Sequence, residues 1–235
     1  MSVLTPDQLA ALYDFPAEAD RRPWVRTMFV ATLDGAAADP SGRSGSLGGE
    51  ADTAVFHVAR SLADVVLVGA GTARAEGYGP AEFDADAAER RSRHHRDAAL
   101  PIAVVSRRLD VPEPLLVPGT LVVTTADAPR RERDRLAETV EVLAHGEGRV
   151  HWRRVLADLA ERGLRRVQCE GGPSLHGELV GEDLVDELCL TVAPVLTTGD
   201  APRIAHGGDP VDRPMTLAHC VPAGDVLLTR WLRAH

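Results

Sequence analysis

Glu170-Gly171-Gly172-Pro173-Ser174-Leu175 follows the run Arg166-Val167-Gln168-Cys169, and the junction reads as a buried strand turning into a helix over Pro173 to Val180. Two glycines let a backbone approach a ligand closely. Proline suits the first turn of a helix, where an N–H would have no helical partner. The free amides and positive dipole end of such a helix suit a phosphate or pyrophosphate. A tight strand-to-helix turn that binds nothing has the same local sequence.

Outward from this junction the chain alternates. Val25 to Thr32 reads as a strand, stopped by Leu33-Asp34-Gly35, and Ala36 to Gly49 is a long Gly- and Ser-rich loop. Glu50 to Leu62 carries Ala54, Val55, Val58, Ala59 and Leu62 at helical spacing and leads into the apolar run Val65-Val66-Leu67-Val68. Tyr78 to Leu100 reads as charged and irregular. Short buried strands follow at Ile102 to Val105, Leu121 to Thr124 and Val140 to Leu143, and a helix runs from Trp152 to Arg162 before Gly163. Glu187 to Val192 and Val226 to Leu232 read as late strands. The pattern predicts a single α/β domain over residues 1–235, with 1–22 as a leader, built on a mostly parallel sheet covered on both faces and antiparallel at its C-terminal edge. Ligands of such sheets lie at the carboxyl ends of the strands.

The formal net charge of −9 over 235 residues gives no long-range attraction to nucleic acid or to an anionic membrane. Every basic side chain apart from histidine is arginine, and an anion must be bound locally. Cys169, Cys189 and Cys220 lack metal-ligand spacing and read as reduced, mostly buried thiols. His57 and His176 fall within predicted helices, without a second donor at ligand spacing. His94 and His95 lie in a basic stretch that reads as a solvated loop or a cover for a substrate phosphate. No metal is expected. The N-terminus lacks the apolar core of a signal peptide and no stretch is long enough to cross a bilayer, so the expected location is the cytoplasm.

Three further strand ends carry candidate chemistry. Val68-Gly69-Ala70-Gly71-Thr72-Ala73-Arg74 opens like a dinucleotide fingerprint, but Arg74 stands where the third glycine belongs, so a Rossmann assignment fails. Ser106-Arg107-Arg108 pairs a hydroxyl with forked donors suited to the 2′-phosphate that separates NADP from NAD; a solvated turn is the alternative. Thr32-Leu33-Asp34-Gly35 offers a carboxylate that either orients a polar substrate or only makes an Asp-Gly turn.

In order and spacing, Thr32-Leu33-Asp34-Gly35, Val68-Gly69-Ala70-Gly71-Thr72, Glu170 to Leu175, and Leu184-Val185-Asp186-Glu187-Leu188 leading to Ala193-Pro194 resemble the pyrimidine reductase family of riboflavin biosynthesis. The resemblance implies a three-layer dihydrofolate-reductase-like fold, NADPH as hydride donor, a homodimer, and reduction of the ribosyl group of 5-amino-6-(5-phosphoribosylamino)uracil to ribityl. It implies that Ala31, Gly69, Gly71, Thr72, Glu76, Ser106, Gly171, Gly172, Ser174 and Leu175 line the cofactor and that Asp34 and Glu170 face the substrate as catalytic candidates; Arg107 joins the cofactor set from the strand-end reading above. The chain departs from the family pattern at Ser44-Gly45-Ser46-Leu47 and at Glu76-Gly77-Tyr78-Gly79-Pro80, where related enzymes touch substrate or nicotinamide. Another heterocycle such as dihydrofolate, or a non-catalytic NADP-binding role, therefore stays open.

Overall fold

The computed structural model describes residues 4–94, 96 and 99–234. The helices are α1 (Pro6–Leu12), α2 (Gly49–Leu62), α3 (Ala70–Ala75), α4 (Ala85–Arg93), α5 (Arg130–Leu136), α6 (Trp152–Glu161) and α7 (Pro173–Gly181). The strands are β1 (Trp24–Thr32), β2 (Val65–Gly69), β3 (Ile102–Val105), β4 (Leu121–Thr124), β5 (Glu141–Ala144), β6 (Arg166–Cys169), β7 (Glu187–Ala193), β8 (Met215–Ala223) and β9 (Val226–Arg233). They form one sheet in the order β5-β4-β3-β2-β6-β1-β7-β9-β8. The pairs from β5 to β7 are parallel, while β9 and β8 join in antiparallel fashion.

Strand alternation divides the core into two faces. Val66, Val68, Ile102 and Val104 pack on one face with Val55, Val58, Ala59 and Leu62 of α2. Val65, Leu67, Ala103 and Val167 pack on the other with Trp152, Val155 and Leu159 of α6 and Leu179 of α7. Helices on both faces of the sheet give the three layers expected from the apolar runs.

A polar cluster interrupts this core at β1 and β7. Arg26 and Glu187 are register partners across β1 and β7, and both side chains are fully buried. Glu187 accepts from Arg26 Nε at 2.7 Å, Trp24 Nε1 at 3.0 Å and Arg230 Nη2 at 3.1 Å. The arginines reach onward to main-chain oxygens, Arg26 to Tyr13 at 2.5 Å and Arg230 to Leu12 at 2.7 Å. The segment after α1 is thereby tied to the sheet.

Three expectations differ from what is observed. Residues 1–22 read as a leader, yet α1 carries a Thr5–Gln8 capping box, and Leu9 and Tyr13 are buried in the main core. Tyr78 to Leu100 read as irregular, yet it contains α4, capped by Asp84. Its inward face is not apolar: Arg90 and Arg91 are buried through hydrogen bonds to Ser61 Oγ and to the Ala63 carbonyl, so no apolar period marks the helix. β8 was not expected at all, because it is an edge strand, mostly exposed, with Pro222 in its run.

Glu187→Gln is expected to cost roughly 3–5 kcal/mol at neutral pH, because the fully buried Arg26 and the partly buried Arg230 lose their charge partner. Burial pushes the Glu187 carboxyl up, but Arg26 and Arg230 outweigh it and hold it below the ordinary range. Its stabilisation is therefore complete above the unfolded-state value of about 4.3 and fades as pH falls through the lower folded-state value. Urea unfolding at pH 7 and along an acid series checks both: the variant should lose this part of the acid dependence.

Candidate active site

The carboxyl ends of β1, β2 and β6 surround a cavity of about 610 Å³, within the range of small-molecule sites. β6 returns between β2 and β1, so the two glycine-rich turns that leave β2 and β6 lie side by side. Gly69 N donates to Gly171 O at 2.7 Å. A Cβ on Gly172 would lie 2.5 Å from Thr72 Oγ1, and one on Gly171, where φ is +97°, would lie 3.2 Å from the Phe29 ring. These glycines are required by the protein's own packing. Gly71 differs: it lines the cavity, and a Cβ there would meet nothing within 4 Å. The N-terminal turn of α7, from Pro173, has no side-chain cap. Together they form a cradle open to an anionic ligand.

Glu170 projects from the end of β6 into the cavity wall, its side chain almost fully buried. Its carboxylate accepts from Arg60 Nε at 2.9 Å and Nη2 at 2.7 Å, from Tyr78 Oη at 2.8 Å and from Gln168 Nε2 at 2.8 Å. The Arg60 guanidinium stacks 4.3 Å over Phe56 and 5.1 Å over Tyr78. Burial raises the Tyr78 phenol well above its ordinary value, and the Glu170 charge adds to this. Burial lowers Arg60, but Glu170 raises it further. With four donors around it, this carboxylate is a fixed anion that orders the wall.

The α2 face opposite its apolar stripe lines the cavity with Asp52, Phe56, His57 and Arg60. Reading α2 only for its buried stripe missed these residues, although spacings of i, i+4 and i+8 put Asp52, Phe56 and Arg60 on one side of a helix. Asp52 packs over Gly48, where a Cβ would lie 2.3 Å from the Asp52 Cβ. Burial raises the Asp52 carboxyl above its ordinary value, and a hydrogen bond from the Thr191 side chain only partly opposes this.

The other candidate residues are distributed as follows. Thr72 and Glu76 line the cavity, and Glu76 accepts from Ser44 N at 2.7 Å and Ser44 Oγ at 2.9 Å, tying the loop after β1 to the end of α3. Ala31 is buried in β1, next to the cavity-lining Val30. Ser174 is exposed in the first turn of α7, whereas the Leu175 side chain packs into the core below. Ser106 Oγ accepts from Asp110 N at 3.0 Å, shaping the turn that leaves Arg107 exposed. Asp34 is not part of the cavity wall. It accepts from Thr32 Oγ1 and from the Thr197 and Thr198 amides, bonds that hold its carboxyl below the usual range and clamp the segment after β7.

His176 stacks on Phe29 with ring centroids 4.6 Å apart, and burial lowers its pKa to about 4, so it stands neutral behind the wall. His95 lies outside the described residues. Among the described residues no group of His, Cys, Asp and Glu suits a metal, and no helix is long and apolar enough to cross a membrane. Cys169 and Cys189 are buried and free; Cys220, on the edge strand, is exposed.

The family profile of the RibD C-terminal domain matches residues 23–229. The 2,5-diamino-6-ribosylamino-4(3H)-pyrimidinone 5′-phosphate reductase of Archaeoglobus fulgidus is 29% identical over 191 residues, 79% of this chain and 87% of that protein. A pyrimidine reductase-like protein from Corynebacterium diphtheriae superposes with a TM-score of 0.84 at 24% identity, covering 99% of this chain and 100% of the other. A dihydrofolate reductase from Enterococcus faecalis, solved with NADP(H), superposes with a TM-score of 0.51 at 13% identity, covering 90% and 97%. The fold is dihydrofolate-reductase-like.

A carboxyl whose folded-state value is raised is destabilising wherever it is ionised. Asp52→Asn is therefore expected to raise the melting temperature at pH 7, and the gain should vanish as pH falls below about 4, where the aspartate is neutral in both states. Thermal melts from pH 3 to 8 check this; a lower melting temperature for the variant at pH 7 would count against the burial argument.

Proposed function

The chain belongs to the RibD C-terminal domain family, and on that premise we propose that it is an NADPH-dependent reductase of riboflavin biosynthesis. It reduces the ribosyl group of a 5-amino-6-ribosylaminopyrimidine 5′-phosphate to ribityl. The observation that carries this reading is the pair of abutting turns at Gly69 to Thr72 and Gly171 to Leu175, with Gly71 bare toward the cavity.

NADPH, when bound, supplies a hydride. Gly71, Thr72, Gly172 and the amides of Ser174 and Leu175 would hold it by its phosphates, with Ala31, Gly69, Glu76, Gly171 and Leu175 shaping the cradle. Exposed Arg107 beside Ser106 would meet the 2′-phosphate. Glu170 and Arg60 order the wall on which the substrate rests, and their closed hydrogen bonding fixes that wall without reorganisation during the reaction. Asp34 acts at a distance, by holding the segment after β7 in place. The protein's part in the chemistry is to bring donor and acceptor together and exclude water.

The same reading makes residues 1–235 one reductase unit, cytoplasmic and homodimeric. The dimer is supported by the edge hairpin of β8 and β9, where Leu217 and Leu227 are exposed apolar side chains.

The test is oxidation of NADPH in the presence of the ribosylamine phosphate. Gly71→Val should abolish turnover and NADPH-induced thermal stabilisation while lowering intrinsic stability by less than about 1 kcal/mol, because the added side chain enters only the cavity. Unchanged stabilisation by NADPH in this variant would remove the turn from the site. Light scattering on the eluting protein should give twice the monomer mass, and Leu217→Arg should shift it toward the monomer.

A further inference from the structure

Among the described residues three carboxylates line the cavity, and two are spent. Glu170 holds four hydrogen bonds, and Glu76 is engaged by Ser44. Asp52 has the Thr191 side chain, from β7, behind it and the buried Tyr13 phenol near enough to feel its charge; among the described residues no cation pairs with it. A hydroxyl donates one hydrogen bond, whereas an ionised carboxylate has about four acceptor positions. Asp52 lines the cavity with its Oδ2 over Gly48, and Phe56, one turn along the same helix, and Met28 of β1 wall the same cavity with apolar surface. The half-buried position is unfavourable for the charge, so a ligand that donates to it explains why a carboxylate stands there.

We propose that Asp52, backed by Thr191, selects the heterocyclic base by accepting paired hydrogen bonds from the ring N–H and exocyclic amino group of a 2-amino-4-oxopyrimidine. This rests on the reductase reading of the same cavity. The amidine edge of such a base presents two adjacent donors, and bonds to an ionised acceptor are the strong ones. A uracil presents a carbonyl oxygen where the amino group would be, turning a lone pair toward a negative charge. A site built to receive a donor discriminates steeply against an analogue that lacks it, because its own buried group is then left unpaired. Asp52 is thus a specificity residue that touches the base and leaves the reacting ribosyl carbon to the cofactor side.

The decisive measurement compares kcat/KM, with NADPH, for two ribosylaminopyrimidine phosphates that differ only in an amino or an oxo group at C2. The wild-type protein should favour the amino form by on the order of 10- to 100-fold. Asp52→Asn, whose amide supplies both a donor and an acceptor, should cancel or invert that preference, chiefly through KM for the amino form. Thr191→Val, which keeps the carboxylate and removes its support, should weaken the preference without inverting it. A wild-type protein indifferent to the C2 group, or an Asp52→Asn variant that loses both substrates equally, would overturn the assignment. If the wild-type protein reduces neither compound, the reductase reading fails, and an NMR titration with isocytosine and uracil tests the base site by itself. Isocytosine preferred by the wild type and not by Asp52→Asn sustains the site; equal binding of both bases to the wild type overturns it.

Discussion

Everything at the carboxyl end of this sheet depends on how closely the turns after β2 and β6 approach each other. The 2.7 Å hydrogen bond from Gly69 N to Gly171 O joins two loops whose strands are neighbours in the sheet but lie about a hundred residues apart in the chain. The approach is close: a Cβ on Gly69 would already touch Gly172 N at 3.4 Å, and one on Gly172 would press on Thr72 Oγ1 at 2.5 Å. The topology makes this contact possible by inserting β6 between β2 and β1 after the chain has run out to the β5 edge. The glycines that resemble a ligand signature are thus of two kinds. Gly69, Gly171 and Gly172 serve the contact between turns, and Gly71 alone leaves space for something outside the protein.

Charge separates the two walls of the cavity in the same way. After β6, Glu170 takes hydrogen bonds from Gln168, from Tyr78 and from Arg60 at the far end of α2, and aromatic rings flank the guanidinium. A buried carboxylate with one guanidinium and two neutral donors is expensive to disturb, so it acts as scaffold. On the α2 side Asp52 has one neutral donor, and its ionised form is disfavoured where it stands. Closed networks give rigidity and open ones give recognition, and this cavity has one of each on adjoining faces.

How much of this was legible in the sequence follows from the same physics. Buried parallel strands such as Val65 to Val68 and Leu121 to Thr124 announce themselves as apolar runs, because both of their faces are covered. Gly171 and Gly172 are legible because a side chain at either would press on Phe29 or on Thr72. α4 was not, since its large inward side chains are arginines bonded to the Ser61 hydroxyl and the Ala63 carbonyl, a solution that leaves no hydrophobic period. β8 was not, since an exposed edge strand needs no apolar alternation. In the site, Glu170 was legible by its place beside the turn, while Arg60 and Tyr78, which complete its hydrogen bonding, depend on contacts 110 and 92 residues distant in sequence. Asp34 read as a carboxylate at a strand end and is one, but the amides it holds belong to Thr197 and Thr198, a partnership no local pattern signals.

The far end of the sheet explains why the site can carry an unfavourable group. Arg26, Glu187 and Arg230 lock β1, β7 and β9 together at the end of the strands away from the cavity and draw the N-terminal segment onto them. Breaking such a cluster is costly, so it holds β1 and β7 in register. β7 is also the strand that presents Thr191 to Asp52. A rigid frame with its own satisfied ion pairs tolerates a half-buried, cation-free carboxylate at the opposite end, because the local penalty is small against the cooperative stability of the whole sheet. The same strand therefore carries the ion-paired Glu187 and, four residues later, supports the cation-free Asp52 through Thr191.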